Sequence, residues 1–296
     1  MQRKFILKSI LIMTVFSLQL SAQETLKDTV NESTFSEKKA RPVPPWFARR
    51  LKVSAGIFIP VNNTKIKVGN ESGSFGNTID FEDDLGFEKS TCTFLGEVQW
   101  RASRRSRFDL SYFYFNRNSS YQLQKTIEFG ENTYPVDADV NSYFKTAIYR
   151  FTYGYAFLVN PNYELGVMIG AHVLLTDVGI SLAGETAQVG YQSKFDFTAP
   201  LPDFGLWGGY AISDKWAFNG SVSYLSLKIG NISGKIISYN LSFMYEALPN
   251  LDLSLGYSGL NFRADLVKEN LAGYLKWSYN GALLTASYCF GKKKPF

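Results

Sequence analysis

From residue 51 onward, apolar and polar residues alternate with a period of two. In YELGVMIGAHVLL (163–175), Tyr163, Leu165, Val167, Ile169 and Leu175 share one face, while Glu164, Gly166, Gly170 and His172 lie on the other. Successive side chains of a strand point to opposite faces, so this pattern predicts a strand with one greasy side. The same holds for Tyr149, Phe151, Tyr153, Tyr155 and Phe157 against Ile148, Arg150, Thr152, Gly154 and Ala156.

Ten such segments follow one another: 51–60, 91–100, 107–116, 144–159, 163–175, 204–212, 216–227, 236–246, 251–262 and one within 274–290. Short connections follow the second, fourth, sixth and eighth: ASRRS, NPN, SDK and ALPN. Longer ones follow the first, third and fifth, and the seventh, around GNISGK, is modest. Centring the short turns near Arg104, Pro161, Ser213 and Leu248 pairs apolar face with apolar face each time. Trp100 then falls opposite Phe108, Phe157 opposite Leu165 and Arg150 opposite His172. Short turns at one end and longer loops at the other fit an all-β, transmembrane antiparallel up-and-down β-barrel of about ten strands, spanning 48–290.

The aromatics decide which face is outside. Trp46, Trp100, Phe157, Tyr163, Tyr210, Trp216, Tyr245 and Phe290 gather at the short-turn end, as in a girdle at a membrane interface. The other face carries Lys52, Glu97, Arg101, Asp109, Arg150, Glu164 and Asp252 among glycines and serines. Unpaired charges make a poor dry core, and they suit a wet lumen.

Composition agrees. Of 296 residues 16% are aromatic and 19% charged, and no stretch after the N-terminus is long and apolar enough for a spanning helix. MQRKFILKSILIMTVFSLQLSAQ has a basic start, a short apolar run and a small-residue cut, which reads as a signal peptide over residues 1–22. Removing it takes Arg3, Lys4 and Lys8 and no acid, so the formal charge falls from +5 to +2. No basic stripe suggests nucleic acid. Residues 23–47 are polar and proline-ended, the expected flexible periplasmic extension, and 291–296 (GKKKPF) form a C-terminal tail. Cys92 and Cys289 fall at opposite ends of the strands, too far apart for a disulfide.

The chain thus resembles Gram-negative outer-membrane β-barrel proteins of an uncharacterised porin-like kind. The carrying features are the export signal, the ten strands and the closing strand GALLTASYCF, with Phe290 terminal and Tyr288, Ala286 and Leu284 alternating before it. The segment IDFEDDLGFE (79–88) is also similar to one in barrels of this kind. The resemblance implies an outer-membrane location, contact with outer-membrane lipid and lipopolysaccharide, and Phe290 as the signal read by the barrel assembly machinery. The tail after Phe290 departs from the pattern and makes Phe296 a competing terminus.

Candidate chemistry is sparse. Asp80, Glu82, Asp83 and Asp84 could hold a hard cation, but adjacent acids and a misplaced Gly86 do not match a calcium loop. A solvated acidic loop end is the expected reading, with no metal or cofactor. No P-loop, GxSxG or HExxH occurs. His172 is the only histidine, and the register gives it Arg150 rather than a carboxylate. Glu97, Asp109, Arg150, Glu164 and His172 are therefore expected to line the lumen, with no catalytic residue. The leading expectation is a non-enzymatic barrel acting as a narrow channel or uptake route for small solutes. The alternative is a structural or surface-recognition barrel using loops 61–90, 118–142 and 176–203. A lipid-modifying enzyme is third. The sequence leaves the solute, the open or closed state and the oligomer undefined.

Overall fold

The computed structural model describes residues 43–69, 77–129, 132–183, 192–229, 232–268 and 271–291. The expected signal peptide, most of the extension and tail residues 292–296 lie outside them. Ten strands form the wall: β1 (Leu51–Gly69), β3 (Thr93–Arg101), β4 (Ser106–Gln122), β7 (Asp139–Val159), β8 (Tyr163–Leu182), β9 (Gln192–Ala211), β10 (Trp216–Ile229), β11 (Ile232–Leu248), β12 (Leu251–Lys268) and β13 (Leu271–Phe290). Each pairs antiparallel with the next, and β13 returns to β1, from Leu51 opposite Phe290 to Gly69 opposite Ala272. Four short elements belong to the loops: β2 (Ile79–Asp80), α1 (Phe81–Asp84) and the hairpin β5 (Ile127–Phe129) with β6 (Asn132–Tyr134).

The faces fall as alternation requires. Val53, Ile57, Leu110, Phe151, Val167, Leu241 and Leu284 are exposed on the outer wall, and Leu255 is 63% exposed. A water-soluble protein does not leave so continuous an apolar surface bare, whereas a bilayer covers it. Trp100, Phe157, Tyr163, Tyr210, Trp216 and Phe290 are exposed at the short-turn end. Tyr245 is half-buried and stacks on Trp216 at 4.4 Å, while Trp46 is half-buried and donates from Nε1 to the Ser213 carbonyl at 2.8 Å.

The strands outrun the ten-residue expectation. The apolar belt ends at Val61 on β1 and Leu175 on β8, yet those strands continue to Gly69 and Leu182. The extra turns of wall are polar outside, so the barrel projects beyond the belt. Much of the expected loops 61–90, 118–142 and 176–203 is therefore strand.

Registers hold in parity and shift in detail. Trp100 is opposite Phe108 and Arg150 opposite His172. A bulge between Ala156 and Leu158 places Leu158, not Phe157, opposite Leu165, and both side chains stay exposed. Phe218 opposite Tyr210 and Tyr239 opposite Gly259 centre the last two turns at Asp214 and Pro249, one residue later than expected. Such a move of the centre alters the pairing by two, so no face flips.

Lipid depth gives a stability test. Leu255→Arg, at mid-belt, is expected to cost about 2–4 kcal/mol in vesicle refolding titrations, and Tyr210→Arg, at the interface, at most about 1 kcal/mol. Equal costs would contradict the belt.

Candidate functional site

The lumen is divided into two halves. The outer half is packed with apolar side chains from wall and loops together. Phe81 and Phe87 stack at 5.2 Å, Phe81 meets Phe144 at 5.8 Å, and Phe144 and Phe115 meet Trp277 at 5.2 and 4.9 Å. Ile127, Phe129 and Tyr134 of the β5–β6 hairpin are buried in the same cluster, with the Tyr134 hydroxyl donating to the Ile180 carbonyl at 2.9 Å.

The acidic segment fastens this plug. Asp80 caps α1, accepting from the backbone N–H of Glu82 and Asp83 at 3.1 and 3.2 Å. Its carboxylate also meets Lys65 at 2.9 Å. Glu82 is buried, receives Arg117 at 2.6 Å and accepts from the Thr64 N–H at 2.7 Å. Arg117 also donates to Thr64 Oγ1 and the Glu88 carbonyl. Asp83 meets Lys89 at 3.4 Å, and Asp84 meets Lys125 at 2.8 Å. The expected solvated loop end is thus corrected for Asp80 and Glu82, whose partners Lys65 and Arg117 tie the loop to β1 and β4, while Asp83 stays exposed beside Lys89. A lone sequence run could not reveal that Glu82 meets Arg117, 35 residues away.

The inner half is polar and holds a partly open cavity of about 190 Å³. Glu97, Asp109, Arg150, Glu164 and His172 all border it, with Lys52, Arg101 and Arg107. Glu164 pairs with Arg101, both buried, and Asp109 accepts from Gln99 at 2.7 Å and meets Arg107 at 3.1 Å. Trp207 takes the room left at Gly154 and Gly166, where an added Cβ would come within 2.8 and 2.5 Å of neighbouring atoms. The Arg107 guanidinium lies over the Trp207 ring at 3.5 Å. Those two glycines therefore do not open the lumen.

His172 has a carboxylate after all. Asp203 Oδ2 lies 3.6 Å from His172 Nδ1 and 3.5 Å from Arg150 Nη2. The expectation that Arg150 alone neighbours His172 is corrected. Asp203 lies one residue before the expected strand 204–212, within the expected loop 176–203 and next to Pro200 and Pro202. β9 pairs with β10 only as far as Phe204 opposite Tyr224, so both prolines sit on a stretch paired through β8 alone, where a missing N–H is tolerated. Extending the alternation by one residue would have turned Asp203 inward. No hydroxyl or thiol hydrogen-bonds to His172 among the described residues, so a nucleophilic triad is not assembled there.

The inner mouth is closed by residues 43–50. Pro44, Pro45, Phe47 and Arg49 are buried, Phe47 packs with Ala217 and Met244, and Arg49 meets Glu246 at 3.0 Å. Packing thus starts by Pro44, ahead of residue 48. Cys289 is buried and donates to Asp252 at 3.2 Å, while Cys92 is exposed, and both are free thiols. Phe290 and Tyr288 lie outward beside Leu51 and Val53.

Two tests follow from these contacts. Arg101→Leu alone strands Glu164 and is expected to cost about 3–5 kcal/mol in thermal or denaturant unfolding in detergent, while Arg101→Leu with Glu164→Leu should recover most of it. At Asp80, burial alone would raise the carboxyl, but hydrogen bonds from Lys65, Asp83 and Glu82 and the Lys65 charge outweigh it and hold it below the ordinary carboxylate range. A depressed folded value means the cap stabilises above the unfolded pKa and loses that effect as pH falls through the folded one. Limited proteolysis should find the plug loosened only at acid pH, and Asp80→Asn should flatten that dependence.

No protein-family profile matches the chain, and no curated protein matches it significantly. Among solved structures it is similar to the outer-membrane protease OmpT from Escherichia coli, at 13% identity and a TM-score of 0.51, covering 81% of this chain and 97% of that one. It is also similar to the translocator domain of the autotransporter NalP from Neisseria meningitidis, at 11% identity and a TM-score of 0.42, covering 81% and 88%. At 13% identity the likeness to the protease speaks for the fold alone. The closed ring, the outward apolar belt and this likeness identify the chain as having the fold of Gram-negative outer-membrane β-barrel proteins.

Proposed function

We propose that the protein is a gated conduit for small polar solutes in the outer membrane, without catalytic activity, and that this structure is its closed form. The observation that carries the reading is the polar cavity held between two separate closures. The apolar plug lies on one side, and the Phe47–Arg49 strap on the other. A barrel meant only as a scaffold would gain stability from an apolar interior throughout, since buried charges must be desolvated. Here Arg101, Arg107, Arg150, Glu97, Asp109, Glu164 and Asp203 are retained at that cost. The surface-recognition alternative is less well supported, because α1 and the β5–β6 hairpin turn into the barrel rather than outward. In this reading Phe290 serves as the assembly signal.

Planar bilayer recordings test it. The intact chain is expected to be nearly silent. Deleting either 43–49 or 124–137 alone should change little, because the closures act in series. Deleting both, with Phe81→Ser and Phe87→Ser to remove the aromatics of the acidic loop from the plug, should give discrete conductance steps, provided heat-modifiable gel migration shows a folded barrel. That variant, folded and still silent, would remove the conduit reading. Lipid A mass spectrometry addresses the catalytic alternative: a modification lost on His172→Ala would overturn the non-enzymatic assignment.

A further inference from the structure

Four cations stand side by side on the outer wall. Lys235 of β11 is opposite Arg263 of β12, Arg263 is opposite Lys276 of β13, and Lys276 is opposite Lys65 of β1. With adjacent strands about 4.8 Å apart, the row spans roughly 14 Å. Lys235, Arg263 and Lys276 are exposed, and Lys65 is partly so.

Like charges directly opposite one another destabilise a sheet, so a row of four needs counter-charge. Asp265 meets Arg263 at 2.8 Å and Asp80 meets Lys65 at 2.9 Å. Lys235 and Lys276 have no carboxylate partner among the described residues. Around the row, Lys67 and Asp265 flank Tyr274 one step outward, Lys228 lies on β10, and Asp83 is already engaged by Lys89. The local excess is positive.

Position narrows which anion the row fits. Below Lys235 the outward face runs through Ile237 and Tyr239, and below Arg263 through Asn261 and Gly259 to Tyr257. Below Lys276 it runs through Ser278 and Asn280 to Ala282. The row thus borders the apolar belt at Lys235, stands one polar position beyond it at Lys65 and two positions beyond it at Arg263 and Lys276, on the side of the belt where a leaflet's headgroups lie. An amphiphile with phosphate above and acyl chains below matches both surfaces, whereas a soluble anion uses only one.

We propose that Lys235, Arg263, Lys276 and Lys65 form a binding site for the headgroup phosphates of a phosphorylated lipid in the surrounding leaflet. The site lies on the outer wall, apart from the lumen, and its test does not depend on conductance. Purified barrel in neutral detergent is titrated with fluorescent diphosphoryl lipid A and with the dephosphorylated lipid, and native mass spectrometry counts bound molecules. The double variant Lys235→Ser with Lys276→Ser alters two exposed side chains and should fold. It is expected to bind the diphosphoryl lipid at least about tenfold more weakly, about 1.4 kcal/mol. Dephosphorylated lipid should bind wild type and double variant alike, and Lys145→Ser, elsewhere on the wall, should leave affinity unchanged. Unchanged affinity in the folded double variant would overturn the site. So would equal loss in Lys145→Ser, or displacement of the lipid by a millimolar excess of inorganic phosphate, which would mark a soluble-anion site.

Discussion

Closure of the hydrogen-bonded ring is the constraint on which everything else rests. In hydrocarbon an unpaired backbone N–H or C=O costs several kcal/mol, so a sheet crosses a bilayer only without an edge. Here β13 meets β1 along the whole length of β1. Once the ring closes, alternation leaves each residue two destinations, lipid or lumen. The outward set is apolar because lipid covers it, and the inward set must be hydrated, paired or packed.

The interior meets that demand in two ways. Toward the inner mouth, charges are kept and matched: Arg101 with Glu164, Arg107 with Asp109, Arg49 with Glu246, and Asp203 between Arg150 and His172. Toward the outer end, loop residues fill the space with aromatic packing around Trp277. The acidic segment 80–84 joins the two strategies. Its carboxylates reach Lys65, Arg117, Lys89 and Lys125, and so bring Phe81 and Phe87 into the barrel. Charge at the rim thereby positions an apolar plug within.

The lipid-facing wall and the lumen obey different rules. On the wall, cross-strand neighbours are set by register alone, and the Lys235–Arg263–Lys276–Lys65 row arises from three consecutive strands and β1, which joins them only when the ring closes. In the lumen, contacts skip across the barrel. Trp207 occupies room vacated by glycines on β7 and β8, and Phe47 reaches the β10–β11 wall from the N-terminal side.

The sequence by itself determined the ten strands, their faces, the parity of four turns and the pairing of Arg150 with His172. Each follows from a period of two and a short connection, which are local quantities. It placed Glu97, Asp109, Arg150, Glu164 and His172 on the inward face for the same reason. Carried one residue before Phe204, its alternation turns Asp203 inward, but it could not place Asp203 within reach of His172 and Arg150, and whether Pro200 and Pro202 are tolerated depends on which strand edge lacks a partner. Nor could it tell that Glu82 is buried against Arg117, that Trp207 fills the glycine gaps, or that the 43–50 segment seals the inner mouth. These depend on what crosses the lumen once the ring has closed, and only the tertiary structure brings such distant residues within a few ångströms of one another.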